Sequence, residues 1–110
     1  MKIKISSGNV SVIAELKNTL TAEKIYNSLP IEGAANRWGD EIYFVIPVKL
    51  DAENDAKEIV EQGDIAYWPE GSCFCIFFGK TPASKGNEIR AASKVNAFGK
   101  IVGDSNSISL

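Results

Sequence analysis

Histidine is absent from this chain. That removes imidazole acid–base catalysis, a Ser-His-Asp triad and any metal site built on ring nitrogens. Basic character is also missing. Lys and Arg number 12 against 14 Asp and Glu, for a net charge of −2 and a pI near 5.1. No basic stripe exists to neutralise phosphates, so no nucleic-acid partner is expected. No apolar run approaches the roughly 18 residues of a membrane span, and no membrane partner is expected. The opening Met1-Lys2-Ile3-Lys4-Ile5 alternates polar and apolar residues, unlike the continuous apolar core of a secretory signal. Only two cysteines are present. The expected compartment is cytoplasmic, with both thiols reduced.

The 110 residues carry 45% apolar and 24% charged side chains, a balance that suits one globular domain over 1–110. No repeat, low-complexity tract or linker interrupts it. Residues 2–6 alternate with period 2, turn at Ser7-Gly8-Asn9 and resume alternation over 10–16, which predicts a hairpin. The period then changes. Thr19 or Thr21 caps a helix running to about Ser28, with Leu20, Ala22, Ile25, Tyr26 and Leu29 supplying its buried stripe and Pro30 closing it. Residues 31–39 read as irregular. Residues 41–50 read as a strand with Ile42, Phe44, Ile46 and Val48 on one face, and Pro47 marks an edge or bulge. The charged stretch 51–62 reads as a solvated connection or a short helical turn. Residues 65–68 and 73–78 are short strands, 81–92 a long loop, and 94–102 a strand again. Ile108 and Leu110 alternate in a polar tail that suggests a last strand paired with the first. Seven or eight short strands and one helix favour a mainly β, closed or nearly closed barrel.

Several motifs resemble cyclophilins in order and rough spacing across about residues 4–103. Thr21-Ala22-Glu23-Lys24-Ile25 is similar to the Thr-Ala-Glu-Asn-Phe that opens their first helix. Gly71-Ser72-Cys73-Phe74-Cys75-Ile76 is similar to their Gly-Ser-Gln-Phe-Phe-Ile, Lys80-Thr81 to their Lys-Thr, and Phe98-Gly99-Lys100-Ile101 to their Phe-Gly-Lys-Val. The segment Ala35-Asn36-Arg37-Trp38-Gly39-Asp40-Glu41-Ile42-Tyr43-Phe44 resembles a small microbial group of cyclophilin-like proteins of unestablished function. The resemblance implies a cyclophilin-like closed β-barrel of about eight strands, with one main helix covering one end. It also implies an arginine beside a prolyl peptide, assisting rotation over a barrier of about 18–20 kcal/mol. Arg37 is the matching candidate. The family's glutamine is replaced by Cys73 and its pocket-floor phenylalanine by Cys75. Its tryptophan after Lys-Thr gives way to Pro82 and Ala83, and the histidine before Phe-Gly-Lys to Val95.

Strand alternation says what the altered face contains. With Ile42, Phe44, Ile65, Tyr67, Phe74 and Ile76 inward, Glu41, Tyr43, Trp68, Cys73 and Cys75 point outward. An outer groove holding Arg37, Trp38, Glu41, Tyr43, Trp68, Cys73 and Cys75 suits a small molecule or short peptide with an anionic or planar group. Plainer readings stand beside this. Arg37 can pair with Asp40 or Glu41 and fix its loop, the two tryptophans can be packing residues, and the cysteines can be inert buried thiols. Residues two apart on a strand lie roughly 6.6 Å apart with parallel Cβ vectors, which is poor disulfide geometry. A metal would need two further ligands, and no metal or cofactor is expected. The reading is therefore a binding module centred on Arg37 and Trp68. The alternative is an enzyme, a weak prolyl isomerase or another small-substrate isomerase or hydrolase, with Arg37 and Glu41 as catalytic candidates.

Overall fold

A computed structural model describes residues 1–103, with eight strands and one short helix. The expected last strand over 104–110 lies outside the described residues. The elements in chain order are β1 (Lys2–Ser7), β2 (Val10–Leu16), α1 (Leu20–Tyr26), β3 (Asn36–Trp38), β4 (Glu41–Val45), β5 (Lys57–Val60), β6 (Asp64–Trp68), β7 (Cys73–Phe77) and β8 (Ile89–Val102). All pairings are antiparallel, in the order β1-β2-β8-β6-β7-β4-β3, and β5 pairs separately with β8. No helix among the described residues is long and apolar enough to cross a membrane.

The expected closed barrel is not completed by hydrogen bonds among the described residues, because no ladder joins the outer strands β1 and β3. β3 is only three residues long, and residues 29–35 before it belong to no strand. A cavity of about 390 Å³ lies at this open seam, with Ile3 and Ile5 of β1 on one side and Ile31 and Phe44 on the other.

Period-2 alternation sorts the sheet into two faces. Ile42, Ile65, Tyr67, Phe74 and Ile76 join Val12, Ala14, Leu16, Phe98 and Ile101 in the main core. Phe74 is its aromatic hinge, stacked on Phe44 at 5.0 Å and edge-on to Phe98 at 5.2 Å. A register shift in the β6–β8 ladder gives β8 an extra residue at 98, since Ile65 faces Gly99 while Ala66 faces Ala97. That bulge lets Phe98 and Ile101, an odd number of residues apart, reach the same core. At Gly99 the backbones are in close approach. A Cβ there would fall 2.7 Å from the Glu15 carbonyl oxygen and 2.9 Å from Ile65.

Helix α1 is shorter than the period suggests. The Thr19 hydroxyl accepts from the Ala22 amide at 3.1 Å, as an N-cap should. Only Thr21, Ala22 and Ile25 are buried. Leu20, Tyr26 and Leu29, expected in the stripe, are exposed, because a seven-residue helix presents only one narrow face to the core. Buried polar groups hold the long connection after β4. The Tyr67 hydroxyl donates to the Val48 carbonyl at 2.6 Å and accepts from the Leu50 amide at 3.1 Å. The Asn96 amide group donates to the Asp51 carbonyl at 3.0 Å and to the Thr21 hydroxyl at 3.1 Å, and its oxygen accepts from the Glu53 amide at 2.8 Å.

Candidate functional site

The second face of the sheet is roofed rather than open. Cys73, Cys75 and Phe77 of β7 and Ala66 of β6 are buried against Val60 of β5 and Ala91 and Val95 of β8. The first half of β8 leaves the main sheet, pairs with β5 and folds over this face. Arg90 anchors the roof, pairing with Glu58 of β5 at 2.9 Å and with Glu88 at 2.6 Å. The charged stretch 51–62 is therefore only partly a solvated surface, since its end supplies β5 and buries Val60. The segment expected to be a loop over 81–92 likewise ends inside β8.

Between roof and sheet lies a cavity of about 210 Å³. Glu41 and Tyr43 of β4, Cys75 of β7, Trp38 of β3 and Trp68 of β6 form its sheet side. Ala91, Ala92 and Val95 of β8 form its roof. Ladder register assembles the sheet side directly. Trp38 faces Glu41 and Tyr43 faces Cys75 across neighbouring strands, while Trp68 faces Cys73. The turn between β3 and β4 uses Gly39 at φ 62°, where a side chain would also strike the Lys80 carbonyl oxygen at 2.8 Å.

Trp68 is held from two sides. Its indole N–H donates to the Ser93 hydroxyl at 2.6 Å, and Ser93 in turn donates to the Glu70 carboxylate. Its ring lies on Gly71, where an added Cβ would fall 2.4 Å from the indole. The Trp38 and Tyr43 rings are half-buried.

Glu41 is the one acid in the cavity wall, with 5% of its surface exposed. Burial raises its carboxyl to about 7, partly opposed by a hydrogen bond from the Cys75 thiol. The same burial pushes the Cys75 thiol well above the ordinary thiol range, and the neighbouring Glu41 charge adds to it. The Cys75 thiol has a second acceptor in the Cys73 carbonyl oxygen at 4.0 Å. The Cys73 thiol donates to the Gly71 carbonyl at 3.3 Å and is also raised, first by burial and then by Glu41. Both cysteines are free and buried, and a raised thiol is a poor nucleophile at neutral pH. No group of three or more acidic or thiol side chains among the described residues could hold a metal ion.

Two residues assigned to the groove lie elsewhere. Arg37 pairs in register with Ile42, so it shares the face opposite Glu41. Its Nε donates to the Gly39 carbonyl at 3.0 Å, its Nη2 pairs with Asp40 at 3.1 Å, and its guanidinium lies 5.8 Å above the Phe78 ring. Arg37 is 45% exposed and does not line the cavity. Cys73 is buried beside the cavity without lining it. The roof residues Ala91, Ala92 and Val95 were not among the candidates. The signal for Ala91 and Val95 is the spacing of Ile89, Ala91, Ser93 and Val95, an alternation diluted by a serine and by intervening charges, while exposed Ala92 at the cavity edge falls outside it.

The Cyclophilin-like family model matches residues 1–110. A solved structure of high similarity is the solution structure of the hypothetical protein AF2241 from Archaeoglobus fulgidus. It superposes with a TM-score of 0.79 at 45% identity, over 93% of this chain and 79% of that one. No curated protein matches. The strand ladders, the two-faced sheet and the match over the full length converge: the chain belongs to the cyclophilin-like family.

Proposed function

We propose that the protein binds a small molecule in the cavity under the β5–β8 roof. The observation that carries this reading is the convergence of Trp38, Tyr43, Trp68 and a buried Glu41 on one hollow of about 210 Å³. A few polar groups in an apolar, aromatic wall are what ligand sites share. The volume lies below the roughly 300–1,000 Å³ of drug-sized sites, so the ligand is small and a peptide is disfavoured. Arg37, on the other face, is not part of this site. Its ties to Gly39, Asp40 and Phe78 support a role in holding the β3–β4 turn.

An enzyme reading draws on a different observation, the Glu41 carboxyl near 7. Such a group exchanges a proton readily at neutral pH and suits a small-substrate isomerase. Prolyl isomerisation through Arg37 is the weaker version, because Arg37 and Glu41 face opposite ways. The test of the binding reading is a titration of tryptophan fluorescence with a library of small aromatic and aliphatic fragments. The binding reading expects saturable quenching that Ala92→Phe removes. Quenching that survives Ala92→Phe, or none with any fragment, refutes it. A proline-isomerisation assay on a short peptide tests the other reading, and activity lost in Arg37→Ala would restore it.

A further inference from the structure

We infer that the cavity is a cage for a small organic cation, a methylated or quaternary ammonium group of choline size. The inference rests on the cavity being a ligand site, as proposed above, and adds the ligand's chemistry.

The wall composition points this way first. Trp38, Tyr43 and Trp68 provide three aromatic rings around one hollow. An aromatic face attracts a cation through its quadrupole, tryptophan most strongly, and alkylated ammonium groups are recognised in this way. The Trp68 N–H is already used by Ser93, so this indole offers ring surface rather than a donor for an anion.

The charge arrangement points the same way. Among the described residues, no lysine or arginine lines the cavity. The groups around Glu41 can be named element by element. β3 contributes Trp38, β4 contributes Tyr43, β6 contributes Trp68, β7 contributes Cys75 with Cys73 beyond it, and the β8 roof contributes Ala91, Ala92 and Val95. None is a cation. The Cys75 thiol is a weak donor and cannot neutralise a carboxylate. Among the described residues, an ionised Glu41 is thus a buried charge with no cationic side chain in the cavity wall, which is costly until a cation arrives. An entering ammonium ion supplies that counterion and is held by the rings at the same time. Size agrees, since about 210 Å³ admits a compact head group and excludes most drug-sized ligands.

The burial of Glu41 also links binding to a proton. Burial raises the group to about 7, and a bound cation favours the carboxylate. Cation binding therefore strengthens as pH rises through 7 and releases a proton below it.

The experiment uses choline and its carbon isostere, in which a tert-butyl group replaces trimethylammonium. Both are titrated by calorimetry into the wild type, Glu41→Gln, Ala92→Phe and Arg37→Ala. The expected result is choline binding at least about tenfold tighter than the isostere. Glu41→Gln shrinks that preference by weakening choline alone, leaving only the part the rings supply, Ala92→Phe weakens both, and Arg37→Ala changes neither. Isostere binding equal to or tighter than choline overturns the cation and leaves the small-molecule site standing. Choline binding unchanged in both Glu41→Gln and Ala92→Phe places the cation elsewhere and also overturns the inference. Failure of both probes on protein folded by NMR overturns it too, while the fragment titration separately decides whether the cavity binds anything.

Discussion

Replacing Glu41 with glutamine should flatten the pH dependence of stability between about pH 5 and 8. Glu41 is buried, and its carboxyl is raised from 4.5 to about 7. A raised acid binds its proton more tightly in the folded protein than in the unfolded chain. The stability this brings is complete below the unfolded value of 4.5 and is gone above about 7. Each tenfold change in proton affinity corresponds to about 1.4 kcal/mol, so the ceiling is about 3.4 kcal/mol. The cavity meets solvent at exposed Ala92. Screening there reduces the working figure to about 1–2 kcal/mol. Gln keeps the shape of the protonated acid and cannot ionise. Urea denaturation every half unit of pH should show the wild type losing stability across this window. Glu41→Gln should match it near pH 5 and exceed it by about 1–2 kcal/mol at pH 8. The carboxylates of exposed Glu61 and half-buried Glu88 are lowered, by Lys100 and Arg90 respectively, and act below this window. A wild type that gains stability from pH 5 to 7, or a Glu41→Gln curve parallel to it, would refute the burial argument.

Three further substitutions test the architecture. Arg37→Ala should cost no more than about 1 kcal/mol, because its ion pair with Asp40 is exposed, and should leave fragment affinity unchanged by fluorescence titration. Gly71→Ala should destabilise by about 1–3 kcal/mol in thermal unfolding, because a methyl there strikes the Trp68 ring at 2.4 Å. In a Trp38→Phe background the same change should shift the Trp68 emission, since the ring has to move. Tyr67→Phe should cost about 1–3 kcal/mol in urea denaturation, because the Val48 carbonyl and Leu50 amide lose their shared hydroxyl.

Much of the sheet was legible because its strands alternate strongly. The inward set of Ile42, Ile65, Tyr67, Phe74 and Ile76 follows from period 2 alone, and the structure places all five in the main core. The same alternation brings Glu41, Tyr43, Trp68 and Cys75 to one side, where they line one cavity. Arg37 was misplaced because nearness in sequence stood in for ladder parity. The turn at Gly39-Asp40 pairs Arg37 with Ile42, and that pairing decides its face. The roof was hidden for another reason. β5 and the first half of β8 bury only alternate small residues between Lys, Glu, Arg and Ser, so their composition reads as solvated. The bulge at Phe98 left no sequence mark, because a ladder slip is a property of two strands. Closure of the barrel was inferred from the number of strands, and that number does not fix whether β1 meets β3.

The central claim is that the chemistry of this scaffold lies under the β5–β8 roof and not beside Arg37. The most direct measurement is an amide and methyl NMR map of the protein titrated with a small fragment that quenches its tryptophans. The account predicts shifts at Ala91, Ala92 and Val95 and at both indole N–H signals. Shifts centred instead on Arg37 and Phe78, or on Ile3 and Ile5 at the open seam, would contradict it.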